Sequence, residues 1–193
     1  MWADGDRRAL GARSELLASM EPFLVGGGMV ENVTYDETSF ARDASRFEAG
    51  TPNVADAVGL AAAIDYLDAI GMDAIRAHER DLIEHGLAVL GELEGVRVFG
   101  PRDPERQSGV LSFTVEGVHP HDIGTVLDHA GIAIRAGKHC CHPAMACLGI
   151  PGTARASVYL YNTHDELDRL AEEIVRAGTI LGSPIERRNR FCQ

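Results

Sequence analysis

From Met72 onward the hydrophobic spacing of this chain alternates between a helical and an extended period, and the segments close on glycine or proline. Met72, Ile75, Leu82, Ile83, Leu87, Leu90 and Leu93 share one helix face, opposite Arg76, Glu79, Arg80 and Glu84. Gly95 stops that helix. Val96 to Phe99 then alternates as a short strand broken by Gly100-Pro101, and Gly109 to Val115 reads as a second strand. His119-Pro120 opens a helix with proline at its first position, running to about Ala130 before Gly131. Ile132 to Arg135 is a third strand and Ala154 to Tyr161 a fourth. Thr163-His-Asp-Glu166 is a capping box that opens a last helix, to about Ala177. The order α-β-β-α-β-β-α predicts a small α/β sandwich, with helices covering a mostly antiparallel sheet.

Residues 1–70 read as the end of a domain rather than a whole one. Leu10, Leu16, Leu17 and Met20 make a short amphipathic stretch, and Gly26-Gly-Gly28 reads as a flexible joint. Residues 29–40 suggest short extended segments, and Arg46 to Asn53 a turn-rich loop. A helix is expected after Asn53, through Val54, Val58, Ala61, Ala62 and Leu67 to Ile70, stopped by Gly71. Phe23, Leu24, Val25, Tyr35 and Phe40 are expected to form an exposed apolar patch if nothing covers them. The tail, Glu186 to Gln193, is basic and expected to fray.

The balance of 45% hydrophobic and 24% charged residues is that of a globular chain with a core. A net charge of -11 repels phosphate backbones, which argues against nucleic acid as a partner. The longest apolar run, near Val58 to Ile64, is too short to span a bilayer, so no membrane role is expected. The first residues lack an apolar signal core, which points to the cytoplasm. Cys140, Cys141 and Cys147 cluster and Cys192 stands apart, a poor disulfide framework and a better candidate for thiol chemistry.

The densest chemistry is Arg135-Ala-Gly-Lys-His-Cys-Cys-His-Pro143. A thiol reacts mainly as its thiolate, and cationic neighbours favour that form. Lys138 and His139 precede Cys140, and His142 follows Cys141. Histidine can serve there as base or as cationic neighbour. A plain surface loop is the bland alternative. A zinc or iron–sulfur site using His139, Cys140, Cys141, His142 and Cys147 is disfavoured, because adjacent ligands strain a tetrahedral site and no second C-x-x-C pair exists. Arg135 and Arg155 flank the loop on two expected strands. Two guanidinium forks near a thiol suit a carboxylate, such as an amino-acid or acyl substrate, although two surface arginines fit the spacing equally well. Gly50-Thr51-Pro52-Asn53 precedes a helix start, where a phosphate could bind or a side chain could simply cap.

Taken together, Arg46-Phe-Glu-Ala-Gly-Thr-Pro-Asn53, Ala63-Ile-Asp-Tyr-Leu67, Gly117-Val-His-Pro-His121, Arg135-Ala-Gly-Lys-His-Cys140 and Thr153 through Asn162 resemble the Suf-type (group II) cysteine desulfurases of the class V aminotransferase superfamily. The likeness runs from about Ser14 to Ala177. It implies the C-terminal small domain of a fold-type I pyridoxal-phosphate transferase, over residues 71–182, with a remnant of the large cofactor-binding domain over 1–70 and a tail over 183–193. It also implies a cytoplasmic homodimer that uses pyridoxal 5'-phosphate, converts L-cysteine to L-alanine, and passes sulfur on to an acceptor protein for iron–sulfur cluster assembly. Cys140 matches the persulfide carrier, Arg155 the substrate-carboxylate arginine and Arg135 a second active-site arginine. His139 and Lys138 support the loop, and Gly50 with Thr51 reaches the cofactor phosphate of the other subunit. Lys138 departs from the histidine expected at its place.

Lys138 is the only lysine in the chain. It belongs to the Cys loop by motif, so the resemblance leaves no lysine to anchor the cofactor. The chain is therefore expected to be a C-terminal portion: a truncated product, a misplaced start, or one half of a split enzyme needing a complementing N-terminal half. It is expected not to link the cofactor covalently by itself. The competing expectation is a non-catalytic sulfur-relay or dimerisation module derived from the small domain.

Overall fold

A computed structural model describes residues 12–187 and divides the chain into two compact units, Met1–Ile70 and Gly71–Gln193. Leu10, Cys192 and most of the basic tail lie outside the described residues.

The first unit holds a short helix α1 (Ser14–Ser19), a hairpin of β1 (Val30–Val33) and β2 (Thr38–Phe40), a 3-10 turn (Ala44–Phe47) and the helix α2 (Val54–Ile70). The glycine triplet, read as a joint, is an exposed turn tied to the loop at Gly50. Gly27 O accepts the Gly50 N–H at 2.8 Å, and a side chain on Gly26 would meet Gly50 N at 3.2 Å. Met29 beside it is fully buried. Asn53 caps α2, its Oδ1 accepting the Asp56 N–H at 3.2 Å. No residue of α2 is buried. Phe23, Leu24, Val25 and Tyr35 are exposed, whereas Phe40 is half-buried in β2.

The second unit is a four-stranded antiparallel sheet of order β3-β4-β6-β5: β3 (Val96–Phe99), β4 (Val110–Val115), β6 (Thr153–Ser157) and β5 (Arg135–Gly137). Helices α3 (Met72–Gly91) and α4 (Pro120–His129) pack on the sheet, and α6 (His164–Ile180) packs on both helices. The period-2 alternation of β4 sends Leu111, Phe113 and Val115 into the core. There they meet Leu82, Ile83 and Leu90 of α3, Ile123 and Leu127 of α4, and Leu170 and Ile174 of α6. The expected capping box is formed: Glu166 Oε2 accepts the Thr163 N–H at 3.0 Å. Two imidazoles, His85 and His164, stack with centroids 4.3 Å apart, each bonded to an aspartate across α3 and α6.

Four segments differ from their sequence reading. Ladder pairing on this edge starts at Arg135 rather than Ile132, because β5 finds partners only opposite Thr153–Arg155. β6 ends at Ser157, and a further helix, α5 (His142–Leu148), follows the cysteines. Of the tail expected to fray from Glu186 to Gln193, the described residues Glu186 and Arg187 are paired, Arg187 bridging to Leu93. Ile185 is buried, Glu94 N–H donates to Glu186 O at 2.8 Å, and Ser183 Oγ donates to Glu116 O at 2.7 Å. Among the described residues, no helix is long and apolar enough to cross a membrane.

Candidate active site

The register of the sheet brings the two arginines together. Arg135 on β5 pairs directly with Arg155 on β6, which pairs with Ser112 on β4. Directly opposite residues share a face. The neighbouring row, Ala136, Ala154 and Phe113, turns toward the core, so the arginine row lies on the opposite face. Like charges placed opposite each other destabilise a sheet unless an anion lies between them. Arg155 is half-buried, and its Nε is buried without a hydrogen-bond partner. An unpaired buried guanidinium N–H is costly, and an oxyanion such as a carboxylate is of the kind that satisfies it.

β5 delivers the chain into a tight turn. Cys141 N–H donates to Lys138 O at 2.9 Å, and the two residues between them, His139 and Cys140, have φ of 52° and 56°. Left-handed backbone at two successive non-glycine residues is uncommon and needs support from outside the turn. Thr153 supplies it. This threonine is 1% exposed, pairs with Gly137 in the ladder, and receives the His139 ring. His139 Nε2 lies 3.0 Å from Thr153 O and 2.9 Å from Thr153 Oγ1. A carbonyl can only accept, so Nε2 carries the hydrogen and Nδ1 of the neutral ring is an acceptor. Gly152 lets the loop fold back this closely, since a side chain there would sit 2.8 Å from Gly137 O.

Burial pushes the His139 imidazolium below the usual histidine range; the Thr153 contact opposes this, and the Arg155 and Arg135 charges reinforce it. An unprotonated histidine therefore precedes Cys140. Cys140, Cys141 and Cys147 are all free and exposed. Cys141 is the N-cap residue of α5, and Lys138 and His142 are exposed. The cavity between β5 and α6, about 280 Å³, is lined by Ile132, Ile134, Val158 and Leu170 and does not include Cys140. Among the described residues no three His, Cys, Asp or Glu side chains converge as metal ligands.

Of the residues singled out from sequence, Arg135, Arg155, Lys138, His139 and Cys140 fall on one strand pair and its loop. Gly50 and Thr51 belong to the first unit, where both are exposed and Gly50 has φ 88°. Thr153 was not singled out as a site residue. Its position in register with Gly137 is a property of pairing, and its only trace in the sequence is its place at the head of the Thr-Ala-Arg segment.

These residues do not by themselves fit a pyridoxal 5'-phosphate site. Thr51 and the exposed backbone at Gly50 can meet a phosphate, but the single lysine, Lys138, is exposed on the Cys loop beside His139. No residue of this chain supplies the covalent anchor.

The chain is similar to known proteins in sequence and in fold. The aminotransferase class-V family model matches residues 9–170. A probable cysteine desulfurase 2 of Mycobacterium leprae is 50% identical over 171 residues, covering 89% of this chain and 41% of that protein. The apo structure of a cysteine desulfurase from Thermococcus onnurineus superposes with a TM-score of 0.81 at 40% identity, over 88% of this chain and 42% of that one. The cysteine desulfurase CsdA from Escherichia coli gives 0.80 at 37% identity, over 87% and 41%. The chain thus spans about two-fifths of the length of the relatives it matches. With the helix-covered antiparallel sheet, the matched residues and the superposed desulfurase structures in agreement, this chain belongs to the class-V aminotransferase family.

Proposed function

We propose that this chain is the sulfur-carrying portion of a Suf-type cysteine desulfurase, with Cys140 as the thiol that receives sulfur from L-cysteine. The reading takes residues 1–70 as a remnant of the cofactor-bearing domain and the second unit as the small domain. A lysine-bearing segment outside this chain supplies the cofactor anchor. The observation that carries the reading is the Arg135–Arg155 pair, opposite each other across β5 and β6, with a buried unpartnered Nε on Arg155 and the Cys turn leaving the same strand.

Each residue then has a task. The Arg155 and Arg135 forks hold the substrate carboxylate and so fix where its thiol lies. The Cys140 thiolate would attack the substrate sulfur and keep it as a persulfide; the substrate C–S bond would break, its electron pair passing to the carbon chain with the cofactor supplying the electron sink, and a proton would complete L-alanine. His139 Nδ1 accepts the thiol proton, with Thr153 holding the ring in the required tautomer. Thr51 and Gly50 contribute to phosphate binding in a cytoplasmic homodimer, and an acceptor protein takes the sulfur by thiol exchange.

The test is complementation. The chain is combined with the lysine-bearing N-terminal part of a relative, and alanine and sulfide are measured from L-cysteine in the presence of a thiol reductant. The combination is expected to be active and the chain alone inactive. Cys140→Ser is expected to lower sulfide release by at least about a hundredfold, the order reached when a nucleophile is removed. Activity that survives Cys140→Ser overturns the assignment. A second reading is favoured by one observation, that the second unit has its own core and exposed free thiols. On it the chain relays sulfur from a separate desulfurase, and Cys140 is loaded only when that donor is present.

A further inference from the structure

We propose that Cys141 is a second sulfur-carrying thiol, which takes the outer sulfur of a persulfide formed on Cys140. The inference rests on the reading above for the placement of the first persulfide, and goes beyond it in giving the neighbouring thiol a role. Both residues are free and exposed. They are joined by a trans peptide, which fixes their Cα atoms about 3.8 Å apart. The backbone of Cys141 is held on both sides. Its N–H closes the turn onto Lys138 O at 2.9 Å, and its carbonyl accepts the Met145 N–H of α5 at 3.2 Å. The backbone of Cys141 is therefore held in place next to that of Cys140.

Distance decides which chemistry the pair can perform. A relaxed disulfide needs Cα atoms about 4.4–6.8 Å apart. Neighbours at about 3.8 Å fall short, so closing the pair into a disulfide strains it. Passing one sulfur atom makes a looser demand. In-line attack places the two cysteine sulfurs at the ends of two partial S–S bonds, roughly 4–5 Å apart in total. The transition state is a ring one atom larger than that of the disulfide, and its long partial bonds relax it further. Cys147 is also free, but it lies further along α5, about 9 Å of helix rise from Cys141, and is out of range.

The step balances without an oxidant or reductant. The Cys141 thiolate forms an S–S bond to the outer sulfur. The bond between that sulfur and Cys140 Sγ breaks, and its electron pair leaves with Cys140 as a thiolate. One S–S bond is made and one broken between similar thiols, so the equilibrium constant is on the order of one. Cys140 returns to the form that attacks substrate while the sulfur waits on its neighbour. The chain can then hold sulfur on both thiols when no acceptor is present.

The experiment uses the complemented enzyme, with Cys147 and Cys192 changed to serine, L-cysteine as donor and no acceptor. Alkylation and tandem mass spectrometry locate the sulfur. The expected result is sulfane sulfur on both Cys140 and Cys141, rising from about one per chain in Cys141→Ser toward about two with both thiols present. In Cys140→Ser, Cys141 is expected to gain none from L-cysteine, yet to be loaded by inorganic polysulfide, which shows that its thiol is intact. Sulfur confined to Cys140 overturns this proposal alone. So do loading of Cys141 by L-cysteine in Cys140→Ser, a Cys141 inert to polysulfide, and a Cys140–Cys141 disulfide with release of sulfide. Absence of sulfur from Cys140 itself overturns both this proposal and the function above.

Discussion

The two units of this chain answer the hydrophobic effect in opposite ways. In the Gly71–Gln193 unit, α3, α4 and α6 each turn an apolar stripe inward, and the sheet fills the space between them. In the Met1–Ile70 unit the one buried hydrophobic residue among those described is Met29. Helix α2 is rich in alanine, valine, leucine and isoleucine around its whole circumference, a composition that normally belongs to a buried helix. Yet Val54, Val58, Ile64, Tyr66 and Ile70 are exposed. A helix with the composition of a buried one thus stands exposed among the described residues, and the Cys loop sits on the unit that has the larger core.

Substitutions can break that comparison or sharpen it. The largest stability effect is expected at the centre of the second unit. Phe113 is fully buried, and Phe113→Ala should cost about 3–5 kcal/mol, read as a lowered urea midpoint. Next comes Gly152→Ala, whose new Cβ would meet Gly137 O at 2.8 Å. Overpacking against backbone there should cost about 1–3 kcal/mol and should move the amide shifts of Lys138 to Cys141 in an NMR spectrum. Val58→Ser on α2 should change the stability of the isolated chain by less than about 0.5 kcal/mol, because that side chain is already in water. A cost comparable to that of Phe113→Ala would mean that α2 is covered in solution and the contrast between the units is false.

The smallest signal is a titration. His139 has its folded pKa lowered, first by burial and then by Arg155 and Arg135. Its unfolded value is about 6.5, so as pH falls through that value the unfolded chain takes up the proton first. The stability associated with neutral His139 is therefore present above about pH 6.5 and is lost as pH drops toward the folded value. The His139 ring should titrate below the ordinary histidine range by NMR. Arg155→Gln should raise its midpoint, since one of the charges opposing protonation is gone. An unchanged midpoint in that variant would show that the arginine does not act on the ring.

Much of the second unit was legible because its signals are local. The face of α3 follows from apolar spacing, α4 begins at Pro120, and α6 begins at its Thr163–Glu166 box. Other features were not legible, since they depend on partners distant in sequence. β5 begins at Arg135 only because β6 offers partners there, and Gly27 O accepts the N–H of Gly50 far along the chain. Ile185 draws residues 183–187 onto a surface whose residues lie far earlier in the chain. The Cys loop shows both cases. Its residue types stand out in any reading, but the hook of His139 onto Thr153 does not.

The sequence by itself determined which residue types could do chemistry: three clustered cysteines, flanking histidines and arginines, and a single lysine within the same loop. It also determined the order of helices and strands in the second unit apart from α5, because periodicity and caps act over a few residues. Only the tertiary structure decided that Arg135 and Arg155 face each other, that Arg155 Nε is buried unpaired, and that Thr153 fixes the His139 tautomer. Those facts follow from strand register and burial, which are set by contacts between segments that local propensity does not link.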